Sequence, residues 1–335
     1  MILLSSLTAC EKGDAKVSVS DYGTVEGQIV KLYTIDFPNQ LKVKVTNYGA
    51  IVTALEVPDR EGKMEDIVLG FDSLSSYVEK TPYFGAVLGR YAGRIAKGRF
   101  SIEDKNYQLA VNNGANHLHG GIKGFDKVVW QSEFEEEKDR VVLRFKYTSP
   151  DGEEGFPGTL TSIATYIFTK NEWKITYEAT TDAPTVVNLT QHTYFNLSAC
   201  KEDILNHELT LNASEYLPID STSIPLGEKL TVENTPFDFR KSKKIGQDIE
   251  ANNEQLKLGN GYDHTFVIDG KHGENPRFMG KLFHEETGRA MEIHTTEPSV
   301  QVYTSNYLKG QFEGKNGLAY PRRYGVCLET QHYPN

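Results

Sequence analysis

The chain has 335 residues and a formal net charge of −10 at neutral pH, an acidic excess that excludes broad electrostatic binding of nucleic acid. It contains 18 Tyr, 16 Phe and 29 Gly, a composition that favours strands joined by turns over helices. No run of about 18 apolar residues occurs, so we predict no membrane-spanning helix. The three cysteines, Cys10, Cys200 and Cys327, show no CxxC spacing and indicate neither a zinc site nor a disulfide framework.

The N-terminal segment contains a short apolar run that ends in Leu7-Thr8-Ala9-Cys10. This pattern resembles the end of a bacterial lipoprotein signal peptide, and it predicts a lipid anchor on Cys10 and a periplasmic or outer-membrane location. No basic segment precedes the run, which is shorter than in a full signal. The alternative is a plain tail with an incidental cysteine, in a cytoplasmic protein. We assign residues 1–22 to a signal remnant or tether.

Alternating apolar and polar residues predict strands from residue 17 to residue 71 and again after residue 140. Three later runs, separated by turn residues, read as consecutive strands: Val141–Tyr147, Leu160–Thr169 and Glu172–Ala179. Ile245–Leu258 is predicted as a short helix that stops at Gly259. No repeat, low-complexity segment or linker interrupts the pattern. We therefore predict one all-β domain over residues 23–335.

A glycine-rich stretch, Phe84–Phe100, holds Arg90, Arg94 and Arg99. Four glycines in so short a span favour loops and strand ends over a helix. Each arginine is either a solvated surface charge or a guanidinium held by close-packed backbone and aimed at hydroxyl or carboxylate oxygens. The glycine spacing is not a dinucleotide-binding fingerprint, since no βαβ unit follows it.

The polar loop Asn112–Gly121 carries His117 and His119, one residue apart. A histidine pair can bind a metal ion, but no third ligand lies nearby in the sequence. We therefore predict no metal site at this loop.

The stretch Val186–Ser198 splits into two faces when it is read at the period of a strand. One face carries Asn188, Thr190, His192, Tyr194 and Asn196, and the other is mainly apolar. An imidazole between amides and beside an aromatic ring suits a ligand that is polar but has an apolar body, such as a sugar. The alternative is a strand of hydrogen-bonded polar residues with a structural histidine, and this stretch alone does not decide between them.

Three later segments add further polar candidates. Asp263 and His264 lie where a loop enters a strand, and Gln301 lies in an alternating stretch, Glu297–Tyr307. In Tyr324–Gln331, position 329 shares a face with Cys327 and Gln331. A carboxylate on an inward strand position costs free energy unless it is paired. Glu329 is therefore a candidate catalytic acid or base.

Together these segments resemble the aldose 1-epimerase (galactose mutarotase) family over residues 23–335. The motifs that carry the resemblance occur in the family's order: GRYAGRIAKG, NHLHGG, KGFDKVVW, EGFPG, NLTQHTYFNL, YDHTF, PSVQVYTSN and GVCLETQHYPN. The resemblance implies a β-sandwich of two large twisted antiparallel sheets with few short helices. It also implies a monosaccharide substrate, interconversion of the α- and β-anomers of aldohexoses such as glucose and galactose, no cofactor and no metal, and a monomer or homodimer.

The resemblance also implies roles for six residues. His192 corresponds to the general acid on the ring oxygen, and Glu329 to the general base on the anomeric hydroxyl. The implied sugar-binding residues are Arg94, His119, Asp263 and Gln301. Gly93 departs from the pattern, because many members have Asn there, and this predicts one hydrogen bond to the sugar that is missing or made through water. Members usually continue beyond the position of Asn335, so we expect a shortened C-terminus and an unpaired strand edge.

Mutarotation requires one group that takes a proton from the anomeric hydroxyl and another that gives a proton to the ring oxygen. An ordinary carboxylate is ionised at pH 7, whereas histidine is near its titration midpoint. We expect the charges of Glu329 and Asp263 to raise the pKa of His192 and keep it protonated.

Three alternatives remain open. A hexose-6-phosphate 1-epimerase would need extra basic residues for the phosphate. A glycosidase would use two carboxylates, Asp263 and Glu329, and would leave His192 without a role. A non-catalytic carbohydrate-binding module would not need both His192 and Glu329.

Overall fold

A computed structural model describes residues 15–79, 82–273 and 275–335. In these residues the chain is built mainly of strands, with two short helices, α1 (Leu74–Glu79) and α2 (Glu254–Leu258), and a few single turns of 3₁₀ helix. Every ladder between strands is antiparallel in the part of the chain that the structure describes. The prediction of a mainly antiparallel β fold with few short helices is confirmed.

The strands have the following bounds. In the first half of the chain they are β1 (Lys16–Val25), β2 (Gln28–Phe37), β3 (Leu41–Thr46), β4 (Val52–Pro58), β5 (Met64–Asp66), β6 (Ala86–Leu88), β7 (Arg94–Ile95), β8 (Arg99–Ile102), β9 (Lys105–Gln108), β10 (His117–Leu118), β11 (Gln131–Glu136), β12 (Val141–Ser149), β13 (Leu160–Phe168) and β14 (Trp173–Thr181). In the second half they are β15 (Thr190–His192), β16 (Tyr194–Phe195), β17 (Glu208–Leu211), β18 (Glu215–Tyr216), β19 (Leu230–Thr231), β20 (Lys243–Lys244), β21 (Asp263–Val267), β22 (Arg277–Phe283), β23 (Ala290–Thr295), β24 (Ser299–Tyr303) and β25 (Val326–Gln331).

Four larger sheets form the frame of the molecule. Their strand orders are β1-β2-β3-β4-β5, β11-β12-β13-β14, β16-β25-β24-β21-β18-β19 and β20-β17-β22-β23. Two-stranded pairs, β10-β7, β15-β6 and β8-β9, are placed around them. In the third sheet β25 lies between β16 and β24, so the strand that carries Glu329 is interior and the expected unpaired edge does not fall on it.

The main hydrophobic core joins side chains from all four of these sheets, the fourth through Leu209 of β17 and Met279 of β22. Val43 of β3, Phe145 of β12 and Val300 of β24 are all fully buried members of one cluster. In each of these strands alternate residues enter the core, as the period of two dictates. The six-stranded sheet therefore has one face on the core, and its other face is available for polar residues.

Two sequence expectations need correction. Strand β1 starts at Lys16 and pairs with β2, so residues 16–22 belong to a sheet and not to a tether. Cys10 lies outside the described residues. The predicted helix Ile245–Leu258 is broken into a 3₁₀ turn and α2, because the side chain of Asn253 caps α2 by accepting hydrogen bonds from the N–H groups of two following residues.

A buried histidine next to the polar face gives a prediction about stability. His264 is fully buried between aromatic rings, and its Nδ1 accepts a hydrogen bond from the N–H of Asp263 at 3.1 Å. Burial lowers the pKa of His264 from 6.5 to about 3. Below pH 6.5 the unfolded chain therefore binds a proton that the folded protein does not. The free energy of unfolding consequently decreases as the pH falls.

We expect His264→Gln to remove this pH dependence. Between pH 7 and pH 5, the free energy of unfolding of the variant relative to wild type should shift by about 2 kcal/mol in favour of the variant. Urea unfolding at both pH values measures the shift. His264→Leu is the control, because it does not titrate either and should give the same shift at a different overall stability. Curves for wild type and both variants that stay parallel would contradict the assignment.

Candidate active site

A pocket of about 500 Å³ opens on the face of the six-stranded sheet that is turned away from the core. It brings together all six residues that the sequence singled out: Arg94, His119, His192, Asp263, Gln301 and Glu329. Each comes from a strand or from the end of one, and three of them lie on neighbouring strands of the same sheet. The pocket is therefore positioned by the sheet, not by a single loop.

Strand register explains why residues far apart in sequence meet in this pocket. Gln301 of β24 is paired with Glu329 of β25 on one side and with Thr265 of β21 on the other. In the next row, Tyr303 is paired with Cys327 and with Asp263. Since side chains of paired residues point to the same face, the first row presents three side chains to the pocket. The second row presents Tyr303 and Asp263, while Cys327 lies against His192.

His192 and Glu329 form the centre of the pocket. His192 Nε2 lies 3.5 Å from Glu329 Oε1, and both side chains are almost completely buried, at 5% and 3% exposed. On the other side of the imidazole, Nδ1 lies 3.6 Å from the Sγ of Cys327. An Nδ1–H directed at this sulfur, a weak acceptor, leaves the Nε2 lone pair facing the carboxyl group. One proton can then be shared between Nε2 and Glu329.

Burial decides the resting protonation of this pair. Burial lowers the pKa of His192 from 6.5 to about 4, so the expectation that neighbouring carboxylates raise the pKa of His192 was wrong. Burial, and next the charge of Asp263, raise the pKa of Glu329 well above its usual range, while Arg94 acts in the opposite direction. Both shifts favour the uncharged forms, with the shared proton on Glu329.

His119 forms the wall of the pocket next to His192. The two imidazole rings are 5.4 Å apart, and the ring of Tyr83 packs against His119 at 4.7 Å. His119 Nδ1 accepts a hydrogen bond from the N–H of Gly93 at 3.1 Å, which leaves its Nε2 for a ligand. The loop can hold His119 here because the next residue is Gly120, where a Cβ would collide with the carbonyl oxygen of Gly89.

The two histidines of the polar loop have separate surroundings. His117 packs on the ring of Phe156 at 5.4 Å, and its Nδ1 is 2.9 Å from the carbonyl oxygen of Ala110, so it does not join the pocket. Ligand atoms of His119, His192 and Glu329 do lie within 4.8 Å of one another, a set of donors that suits Zn²⁺. Folding thus brings His192 and Glu329 next to His119, although neither lies near it in the sequence.

On the opposite wall, three polar side chains form a hydrogen-bonded chain. Thr265 Oγ1 donates to Gln301 Oε1 at 2.6 Å, and Gln301 Nε2 donates to Asp263 Oδ1 at 2.7 Å. These two hydrogen bonds fix the orientation of the Gln301 amide, with its nitrogen toward Asp263. Burial raises the pKa of Asp263, while Arg94 and the bond from Gln301 lower it. Arg94 itself is held by Asn113, whose Oδ1 accepts from Nε at 3.2 Å.

Gly93, the departure from the family pattern, occupies a restricted position. Its φ is +79°, and a Cβ there would lie 2.9 Å from the Cβ of Pro334 and 3.6 Å from the Nε2 of Gln331. A side chain at position 93 would therefore compete with Gln331 and Pro334 for the same space.

Sequence reasoning did not assign four other side chains that line or support the pocket: Tyr83, Tyr303, Cys327 and Gln331. For Cys327 and Gln331 a signal existed, because both share the face of Glu329 in an alternating strand. Tyr303 shares the face of Gln301 in the same way. Tyr83, with φ of +68°, lies in a loop where no periodicity points to it.

Comparison with known proteins gives a consistent result over nearly the whole chain. A family model described as aldose 1-epimerase matches residues 31–335. A galactose mutarotase from Bos taurus is 45% identical over 301 residues, which cover 89% of this chain and 84% of the relative. An aldose 1-epimerase from Escherichia coli strain K12 is 35% identical over 311 residues, covering 92% of this chain and 88% of the relative.

Solved structures agree with the sequence comparisons. The crystal structure of galactose 1-epimerase from Lactobacillus acidophilus superposes with a TM-score of 0.82 at 28% identity, covering 95% of this chain and 91% of that one. The galactose mutarotase-like fold expected from the sequence is therefore confirmed. On this family match, these identities and this fold, the chain belongs to the aldose 1-epimerase family of isomerases.

Proposed function

We propose that this pocket interconverts the α- and β-anomers of free aldohexoses, glucose and galactose among them, with His192 and Glu329 as the acid–base pair. The observation that carries the proposal is the 3.5 Å approach of an imidazole nitrogen to a carboxylate oxygen at the buried centre of a sugar-sized pocket. Names of the relatives, galactose mutarotase and aldose 1-epimerase, support the same chemistry.

The reaction uses the single proton that the pair shares. Transfer of this proton from Glu329 to His192 produces a carboxylate base and an imidazolium acid. The carboxylate then takes the proton of the anomeric hydroxyl, and the imidazolium gives its proton to the ring oxygen. The bond between the anomeric carbon and the ring oxygen breaks, and the electrons of the hydroxyl form the aldehyde. Rotation about the C1–C2 bond and reversal of these steps give the other anomer.

Charge on the pocket wall supports the carboxylate form of Glu329 during this step. Arg94 lowers the pKa of both Glu329 and Asp263, and so favours ionisation of the base. We propose that Arg94, His119, Asp263 and Gln301 also bind sugar hydroxyls, because charged and amide groups in a buried pocket form the strongest hydrogen bonds.

The pocket lining weighs against the alternatives. Arg94 is the sole Lys or Arg side chain among the described residues that line it, which is too little positive charge for a phosphorylated hexose. A glycosidase would leave unexplained why an imidazole, and not a second carboxylate, faces Glu329. A binding module would not require a proton-sharing pair in its centre.

Polarimetry of freshly dissolved α-D-glucose and α-D-galactose tests the proposal. The protein should bring both sugars to anomeric equilibrium much faster than buffer alone, at micromolar concentration and in the presence of a chelator. A rate no faster than buffer, from protein shown to be folded by circular dichroism, would rule out this function. Sugar binding without acceleration would favour the binding module.

We also propose, from the sequence of the N-terminus alone, that Cys10 carries a lipid anchor and that the protein acts on sugars outside the inner membrane. Metabolic labelling with palmitate tests this, with Cys10→Ala as the control. An unlabelled protein recovered from the cytosol would exclude it.

A further inference from the structure

Gln331 is a pocket residue whose buried side-chain oxygen has no role in the proposed chemistry. It is 1% exposed and lines the pocket beyond Glu329. Its Oε1 is buried without a hydrogen-bond partner among the described residues. The backbone of Gln331, in contrast, is held in place, because its carbonyl oxygen accepts from Ser299 Oγ at 2.6 Å. A buried amide oxygen without a hydrogen-bond partner costs free energy, so its presence at a pocket wall points to a ligand that donates a hydrogen bond to it.

The order of side chains along β25 tells which part of a sugar Gln331 meets. Cys327, Glu329 and Gln331 point to the same face at successive positions, roughly 6.8 Å apart. His192 contacts Cys327 through Nδ1 and Glu329 through Nε2, so it lies toward the Cys327 end. Gln331 therefore lies on the side of Glu329 that is remote from His192.

A pyranose has two ring neighbours at the anomeric carbon, the ring oxygen on one side and C2 on the other. The proposed function places the ring oxygen at His192 and the anomeric hydroxyl at Glu329. With those two contacts made, C2 and its hydroxyl face the Gln331 end of the strand. We infer that the Gln331 carboxamide binds the C2 hydroxyl of the substrate and so selects sugars that carry it. This inference rests on the proposed function.

Gly93 leaves the room that this contact requires. A Cβ at position 93 would lie 3.6 Å from Gln331 Nε2, within van der Waals contact, and a longer side chain would displace the amide. Many family members have Asn at position 93, and the sequence predicted that its hydrogen bond to the sugar is missing here. The Nε2 of Gln331, on β25, lies beside this position and is a candidate donor in its place.

Measuring kcat/KM of wild type and Gln331→Leu for three sugars tests the inference. We expect wild type to show kcat/KM about tenfold lower for 2-deoxy-D-glucose than for D-glucose, each corrected for its spontaneous rate. In Gln331→Leu the value for D-glucose should fall about tenfold, while the value for 2-deoxy-D-glucose should change little. The sugar 3-deoxy-D-glucose keeps the C2 hydroxyl, so its value should fall with that of D-glucose. Gln331→Met serves as a second variant of similar length.

The outcomes separate the two proposals. If wild type accelerates D-glucose but Gln331→Leu lowers all three sugars equally, or lowers none, the assignment of Gln331 is overturned and the proposed function stands. If wild type does not accelerate D-glucose, the proposed function itself fails and the inference fails with it.

Discussion

Replacing Glu329 with Gln is expected to lower kcat for D-glucose by roughly 10²–10⁴-fold, because the variant keeps the shape of the pocket and loses the proton acceptor. His192→Asn should have an effect of the same order. Since the proposed reaction passes one proton between the two groups, the double variant should be little worse than either single variant. Polarimetry at saturating sugar measures kcat, and calorimetric titration measures whether the sugar still binds.

Stability provides the internal control for this experiment. The pKa of Glu329 is raised by burial, so its folded form holds a proton more tightly than the unfolded chain does. Wild type therefore loses stability as the pH rises above about 4.5, and Glu329→Gln, which cannot ionise, should gain on wild type over the same range. A variant that is inactive and also unstable at pH 8 would mean that Glu329 supports the fold. A loss in kcat below tenfold would remove it from the chemistry.

Arg90→Met is expected to destabilise the folded protein by about 3–5 kcal/mol. Arg90 is only 2% exposed, and its guanidinium donates to the carbonyl oxygens of Ser149, Pro150, Pro157 and Gly158 at 2.8–3.3 Å. It therefore joins both ends of the loop between β12 and β13 to the segment that leads to Arg94. Methionine would fill the volume and remove the guanidinium from all four carbonyl oxygens, of which those of Ser149 and Gly158 accept buried hydrogen bonds.

Arg99→Met is the matched control, because Arg99 is exposed and its Nε donates to the exposed side chain of Gln108. Its effect on the free energy of unfolding should stay within about 0.5 kcal/mol. Urea unfolding with a common m-value compares the two variants. Equal effects of Arg90→Met and Arg99→Met would show that the loop carbonyls find water in place of the guanidinium.

These arginines show where sequence reasoning reaches its limit. Arg90, Arg94 and Arg99 share one glycine-rich stretch, and from the sequence alone the same two interpretations apply to each of them. The fold makes Arg90 structural, Arg94 part of the pocket and Arg99 a surface residue. The difference depends on which chain segments lie opposite each side chain, and no local pattern contains that information.

Strands were predictable where one face enters the core, as in β12, β13 and β14, because burial imposes alternation. The stretch Val186–Ser198 was less regular than its pattern indicated, since it forms β15 and β16 in two different sheets. The roles of the six site residues came from the family resemblance. Protonation of His192 could not be read from neighbours in sequence, because burial, the largest cause of its lowered pKa, is a property of the assembled pocket.

The interior place of β25 couples folding to activity. This strand closes the six-stranded sheet between β16 and β24, whose sequence positions lie far from each other, and it brings Glu329 with it. Contacts between such distant segments form late, because the entropy of closing long loops must be overcome first. Local opening that frees β25 would divide the sheet and would also remove Glu329, the proposed base, from the pocket. Molecules that are folded elsewhere but lack only β25 and its proposed base should therefore not accumulate. During refolding, the recovery of activity should follow the recovery of structure.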